Sequence, residues 1–136
     1  MAEPITFLHL SDLHITPPGR LVHGIDPLPQ VRRVLGRIRA LDVEPAFVVV
    51  SGDLTDDGSA ESYEVFREVL RQIGDGDTPV LLALGNHDDR ATFRRVVLGQ
   101  EDGEDEQPYC YGQTIDGLRV IVLDSVIPGA TAGALG

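Results

Sequence analysis

The sequence predicts an α/β fold built on a largely parallel sheet. Three short apolar runs, residues 5–10, 46–51 and 80–84, have the length and composition of buried strands. A stretch with apolar residues at helical spacing follows each run, which gives the order β-α-β-α-β-α. Parallel strands joined in this way need cover on both faces of the sheet.

Three helices account for the segments between and after these strands. Residues 29–41 have the apolar spacing of the first helix, and the second runs from an N-cap at Ser59 through Ile73. The third is expected over residues 90–98, with Asp89 as its N-cap. Each helix therefore has a recognisable apolar face or capping residue.

A hairpin is expected near the end of the chain. Residues 109–114 and 118–124 flank Asp116 and Gly117, a favoured pair for a two-residue turn. We expect these strands to end the sheet as an antiparallel pair. The acidic stretch within residues 99–108 is interpreted as a solvated loop, because it lacks the alternating ligand spacing of a calcium loop.

Composition limits the function classes. With 136 residues, 42% of them apolar, the chain suits a single domain, residues 1–136. Its 22 acidic and 11 basic side chains give a net charge of -11, which argues against a nucleic-acid groove. The single cysteine, Cys110, can form no internal disulfide and is expected to be a packed thiol. No secretion signal and no apolar run of roughly 20 residues is present, so we expect a cytoplasmic protein without a membrane span.

Chemically active residues follow all three parallel strands. The motifs are Asp12-x-His14, Gly52-Asp53 and Gly85-Asn86-His87-Asp88. Because the carboxyl ends of parallel strands meet at one edge of a sheet, these side chains are expected to converge there. Carboxylate, amide and imidazole groups together indicate a metal site.

Two divalent ions about 4 Å apart can activate a bridging water and clamp the oxygens of a phosphoester. Asp53 is central among the three loops, and its two oxygens suit it to bridge both ions. Asp12 and His14, two residues apart on an extended segment, can reach one ion, and Asn86 offers an amide oxygen to the other. Such mixed ligands suit manganese, iron or zinc.

His87 and Asp88 are the candidate catalytic residues. The side chain of His87 is expected to point away from the ligand direction and to face substrate, where it can protonate a leaving alkoxide. Asp88 would hold His87 or its loop in place. The alternative is that both residues cap the following helix. The loop of residues 17–26 is long enough to overhang the site, so His23 could approach substrate, whereas His9 is expected to be packed or hydrogen-bonded.

The three motifs in this order resemble those of the calcineurin-like metallophosphoesterase superfamily. The stretches LHLSDLHI, VVVSGDLTDDG, LGNHDDR and IVLDS are closest to its cyclic-nucleotide phosphodiesterase and glycerophosphodiesterase branch. The resemblance covers residue 5 to about residue 129 and implies a four-layer α/β/β/α sandwich with a binuclear site. It also implies that Asp12 and His14 bind the first metal, Asp53 bridges, Asn86 binds the second metal and His87 assists the leaving group.

The family pattern continues with a histidine-containing loop and a Gly-His-x-His motif, neither of which occurs in this sequence. One hypothesis is therefore the N-terminal half of a hydrolase acting on small phosphodiesters, such as 3′,5′-cyclic nucleotides or glycerophosphodiesters. The other is a non-catalytic module that acts by metal binding or protein interaction. Residues 1–136 alone are expected to self-associate or to fold poorly, with at most one weakly bound metal and negligible phosphodiesterase activity. A dinucleotide-binding domain lacks support, because no Gly-x-Gly-x-x-Gly follows the first strand.

Overall fold

The computed structural model of the protein describes residues 4–74, 76–100 and 107–135. Most of the acidic segment that the sequence predicts to be a solvated loop, residues 101–106, lies outside them. The elements of the described ranges are β1 (Phe7–Ser11), α1 (Pro27–Arg39), β2 (Phe47–Ser51), α2 (Ala60–Ile73), β3 (Val80–Ala83), α3 (Arg90–Val96), β4 (Tyr111–Ile115) and β5 (Leu118–Val122). The predicted order of strands and helices is confirmed.

Strands β1, β2 and β3 form a parallel sheet in which the spatial order is the order of the chain. Ser11 pairs with Ser51, and Ser51 pairs with Ala83, so the carboxyl ends of the three strands are level. The loops after these strands consequently start side by side, which is why their polar residues can meet.

All three helices pack on the same face of this sheet. The two crossovers move one strand in the same direction, and right-handed crossovers of that kind put α1 and α2 on one side. Phe93 of α3 is buried in the same core as residues of α1 and α2, so α3 lies on this side as well. The core on this face is formed by fully buried side chains from helices, strands and loops. Among them are Ile15, Val50, Leu54, Tyr63, Phe66 and Phe93. Helices therefore cover one face of the sheet and not both.

The hairpin of β4 and β5 covers part of the other face. Ile115 pairs with Leu118, and the turn residues Asp116 and Gly117 have φ values of 49° and 83°, as a primed two-residue turn requires. Ile115 and Val122 pack against Phe47 and Leu81 of the parallel sheet.

The expectation that this pair extends the parallel sheet is wrong, because β4 and β5 form a separate two-stranded sheet. The Tyr111 hydroxyl accepts from the N–H of Leu82 at 2.7 Å and donates to its C=O at 3.0 Å. This side chain therefore occupies backbone groups of β3 that a neighbouring strand would use.

Two further expectations need correction. The first helix begins at Pro27, not at residue 29, because Asp26 accepts a hydrogen bond from the N–H of Leu28 at 3.1 Å and acts as N-cap. Cys110 is exposed rather than packed, since the neighbouring Tyr109 and Tyr111 turn their rings towards each other and inward. The predicted caps Ser59 and Asp89 are confirmed.

Among the described residues, no helix is long and apolar enough to cross a membrane.

Candidate metal centre

The loops after β1 and β2 continue side by side beyond the sheet. The N–H of Asp12 donates to the C=O of Gly52 at 3.2 Å, and the N–H of His14 donates to the C=O of Asp53 at 2.9 Å. Asp12, His14 and Asp53 have φ values of 54°, 45° and 44°. Residues other than glycine seldom adopt this left-handed region, and such strain is often found at functional sites.

These three residues form one cluster. Their ligand atoms lie within 4.8 Å of one another, and His14 Nε2 is 3.6 Å from Asp53 Oδ2. Two carboxylates and an imidazole nitrogen are donors that manganese, iron and zinc all accept. Three of the four metal ligands predicted from the sequence are therefore together, with a chemistry that fits a divalent ion.

The loop after β3 reaches the same place. Gly85 lies so close to Asp53 that a Cβ at this position would come within 2.2 Å of the Asp53 amide nitrogen and Oδ1. The N–H of His87 donates to Asp53 Oδ1 at 3.0 Å. Asn86, the fourth predicted ligand, is exposed and lies between these two contacts. Its ligand role stays a prediction.

Asp56 is a site residue that the sequence reasoning missed. His14 Nδ1 lies 3.0 Å from Asp56 Oδ1, and His87 Nδ1 lies 2.6 Å from the backbone carbonyl oxygen of Asp56. Both oxygens only accept, so we infer that each Nδ1 carries a proton. In the neutral imidazole of His14, Nε2 then carries no proton, and its lone pair is available for a ligand beside Asp53. The available signal was a carboxylate three residues after Asp53, in the acidic pair Asp56 and Asp57.

His87 is at the open side of this cluster. Its side chain is 41% exposed, and its ring meets that of His14 edge to face, with centroids 4.9 Å apart. The bond to the Asp56 carbonyl raises the pKa of His87, and the negative charges of Asp53 and Asp56 act in the same direction. These contacts thus favour the protonated form of His87 relative to a free imidazole, whereas burial of the ring acts in the opposite direction.

The sequence profile of calcineurin-like phosphoesterases matches residues 5–129, nearly the whole chain. The chain belongs to the calcineurin-like phosphoesterase family. The predicted resemblance is confirmed.

Three relatives of this phosphoesterase chain have names that mention phosphodiesters. A probable cyclic nucleotide phosphodiesterase of Rhodococcus erythropolis is 40% identical over 98% of this chain and 44% of its own length. A cAMP/cGMP dual specificity phosphodiesterase of Mycobacterium tuberculosis is 32% identical over 94% of the chain and 40% of its own length. A glycerophosphodiester phosphodiesterase of Enterobacter lignolyticus is 35% identical over 93% of the chain and 46% of its own length. The chain spans less than half the length of these curated relatives.

Asp88 is buried, unlike the exposed His87 that precedes it at the candidate metal centre. It accepts hydrogen bonds from the N–H groups of Leu54, Thr55 and Gly85 at 3.0, 3.1 and 2.9 Å, and from the Tyr63 hydroxyl at 3.0 Å. Burial raises the pKa of Asp88, and these donors act against that effect. Asp88 thus fastens the loops after β2 and β3 together, which fits the predicted holding role.

The alternative that His87 and Asp88 cap the following helix is not supported. The N-cap of α3 is Asp89, whose side chain accepts from the N–H of Thr92 at 2.8 Å. His9 is hydrogen-bonded, with Nε2 2.6 Å from the hydroxyl of Ser51, as the sequence predicts. His23 is carried by the loop beside Asp12 and His14.

Proposed function

We propose that the full-length protein hydrolyses small phosphodiesters with the help of two divalent ions, for which manganese, iron and zinc are the candidates. The observation that carries the proposal is the cluster of Asp12, His14 and Asp53 within 4.8 Å at the ends of two parallel strands. The names of the relatives support diesters such as 3′,5′-cyclic nucleotides or glycerophosphodiesters as the substrate class. Divalent ions bound there would lower the pKa of a water and neutralise phosphoryl oxygens.

Each ligand has a proposed role. Asp12 and His14 would hold one ion, Asp53 would bridge, and Asn86 would serve the second ion. The Asp53 carboxylate suits bridging because it contacts both neighbouring loops, through His14 Nε2 at 3.6 Å and the His87 N–H at 3.0 Å. Asp56 fixes the ring of His14, so that its Nε2 stays turned towards Asp53.

His87 is proposed as the general acid. With Nδ1 donating to the Asp56 carbonyl, its other ring nitrogen is the one that can carry a proton to the leaving oxygen. Asp88 contributes by fixing the backbone on which His87 stands, since it accepts from the N–H of Gly85 two residues earlier.

For the fold, we propose that β4 and β5 begin the second sheet of a four-layer α/β/β/α sandwich, in which residues 1–136 form the N-terminal half. Three large apolar side chains support this proposal by their exposure. Phe7 is 50% exposed although it stacks on Phe47, and Ile121 and Leu123 are 65% and 54% exposed. Further strands of the second sheet would cover Phe7, and helices of the outer layer would cover Ile121 and Leu123, which alternate with the inward-facing Val122. Cytoplasmic location and homo-oligomer formation stay predictions.

The proposal is tested by metal removal in the full-length protein. Metal content would be measured together with hydrolysis of bis(4-nitrophenyl) phosphate, 3′,5′-cyclic AMP and a glycerophosphodiester. Chelation should abolish hydrolysis, and added manganese, iron or zinc should restore it. Full-length protein that carries no divalent ion, or that hydrolyses none of the three diesters with any of these ions, would contradict the proposal and favour a non-catalytic module.

A further inference from the structure

A cavity of about 500 Å³ opens directly beside the candidate metal centre. Asp12, His14 and His87 form the end that it shares with the centre. Its other walls are mainly aliphatic and come from the β1 loop and α1. These apolar residues include Leu13, Val22, Ile25, Val31, Val34 and Leu35.

The wall formed by the loop is fixed by hydrogen bonds. Val22 and Ile25 exchange two backbone bonds, at 2.8 and 2.9 Å, so the chain makes a tight turn with His23 at its tip. Arg20 holds the loop to the next one through an ion pair with Asp57, at 2.6 Å. The cavity is therefore largely preformed, as small-molecule sites usually are.

The polar groups in the walls away from the centre are few. His23 and Gln30 line the cavity among the aliphatic side chains. A volume of 500 Å³ lies within the range of about 300–1,000 Å³ that is typical of small-molecule sites. An aromatic ring system fits such a volume, and His23 and Gln30 could bond to nitrogen or oxygen atoms at its edge.

We propose that this cavity receives one ester group of the phosphodiester and selects a flat, largely apolar group, such as an aryl ring or a nucleobase, over a glycerol-like group. The inference rests on the proposed function. A phosphoryl group at Asp12 and His14 has its ester group within reach of the cavity, because the same residues line both. Aliphatic walls favour burial of a ring, whereas buried hydroxyl groups of a polyol would lack partners.

The test uses phosphate monoesters as competitive inhibitors of diester hydrolysis by the full-length protein. Their phosphoryl group binds at the centre in every case, so the ester group alone differs. Phenyl phosphate should bind roughly tenfold or more tightly than glycerol phosphate or methyl phosphate, since a buried ring is worth at least that factor. Inorganic phosphate gives the reference inhibition constant without an ester group.

Two variants show whether the difference arises in the cavity. Val34 lines it and is 44% exposed, so Val34→Trp should fill it without disturbing the core. This variant should bring phenyl and methyl phosphate to equal inhibition constants and leave inorganic phosphate unchanged. The matched control is Val43→Trp, which is also 44% exposed but lies outside the cavity, and it should keep the preference.

Ile25→Asp is the second variant, because Ile25 is an exposed loop residue and its substitution does not touch a helix. It should weaken phenyl phosphate tenfold or more, whether or not Val34→Trp folds. Equal inhibition by phenyl, methyl and glycerol phosphate in an active wild-type enzyme would overturn the inference alone. A preference that survives Ile25→Asp would also overturn it. Absence of metal-dependent hydrolysis of any diester would instead overturn the proposed function.

Discussion

Asp53 and Asp88 both lie against Gly85, but their surroundings differ. The Asp53 side chain is 13% exposed; its Oδ1 accepts from the N–H of His87 at 3.0 Å, and its Oδ2 lies 3.6 Å from His14 Nε2. Asp88 is buried, and three backbone N–H groups and the Tyr63 hydroxyl donate to its two oxygens. One carboxylate keeps an oxygen available for a ligand, while the other is already used within the fold.

Asp124 is a second carboxylate of the enclosed kind. Arg90 contacts it with two nitrogen atoms at 2.8 and 2.9 Å, and the Asp124 side chain is fully buried. Burial opposes its charge, but the bonds from Arg90, Tyr109 and Val126 outweigh burial and lower the pKa of Asp124. The difference between open and enclosed carboxylates implies that substitutions at open positions cost function, whereas substitutions at enclosed positions cost stability.

The largest expected effect is that of Asp53→Ala in the full-length protein. A bridging carboxylate serves both ions, so its removal should abolish tight metal binding and diester hydrolysis. The free energy of unfolding of the metal-free protein should change little, because Asp53 has few donors to lose. Metal analysis and denaturant unfolding measure the two effects. Undiminished occupancy by two ions would show that Asp53 does not bridge.

His87→Ala should lower turnover by roughly 10² to 10⁴, the range of general acid catalysis, and leave the metal content almost unchanged. The loss should be smaller for aryl diesters, whose leaving groups need no proton. Steady-state kinetics on an alkyl and an aryl diester would measure both losses. Equal losses on the two substrates would count against the acid role.

At the enclosed position Asp124, substitution by asparagine should lower the free energy of unfolding by about 3–5 kcal/mol at neutral pH, because it leaves the Arg90 charge without its bidentate partner. The pKa of Asp124 is lowered in the folded protein, so its contribution is complete above the usual aspartate range. That contribution is lost as the pH falls through the lowered folded value.

Denaturant unfolding of both proteins between neutral and acidic pH would measure this difference. The two stability curves should converge at the acidic end. Asp116→Asn is the matched control, because Asp116 lies in the exposed hairpin turn and asparagine tolerates its positive φ. A gap between wild type and Asp124→Asn that does not depend on pH would contradict an ionic role.

Asp88→Asn should lower the free energy of unfolding by about 2–3 kcal/mol, since a neutral amide replaces a charged acceptor and turns an NH₂ group towards donors. In contrast to Asp53→Ala, this variant should retain metal at temperatures where it is folded. Metal analysis of both variants, at temperatures below the unfolding midpoint of Asp88→Asn, distinguishes Asp88→Asn from Asp53→Ala. Loss of metal from folded Asp88→Asn would contradict this prediction, because it would show that an enclosed carboxylate is also needed for metal binding.

Tyr63→Phe has the smallest expected effect, about 1–2 kcal/mol. The ring stays packed, but Asp88 loses the hydroxyl donor at 3.0 Å and the N–H of Asp89 loses its acceptor at 3.0 Å. Tyr109→Phe provides a control for removing a hydroxyl group from a less buried ring. Equal stability of Tyr63→Phe and wild type would show that Asp88 does not depend on this bond.

Sequence alone determined the parallel strands, their order with the helices, the hairpin turn and the place of Asp12, His14, Asp53 and Asn86 at the strand ends. These features follow from local signals: apolar runs, helical spacing, and a turn pair with positive φ values at Asp116 and Gly117. Strand-end motifs converge for the general reason that parallel strands share one carboxyl edge. The family was also recognisable from these motifs.

Tertiary structure alone decided which carboxylates are open and which are enclosed. No local signal marked Asp56 as a partner of His14, and it holds His14 because two loops 42 residues apart in sequence meet. The hairpin forms its own sheet, and Tyr111 of this hairpin bonds to the backbone of Leu82 from 29 residues away in sequence. Such contacts depend on packing between distant segments, and the spacing of residues along the chain carries no signal for them.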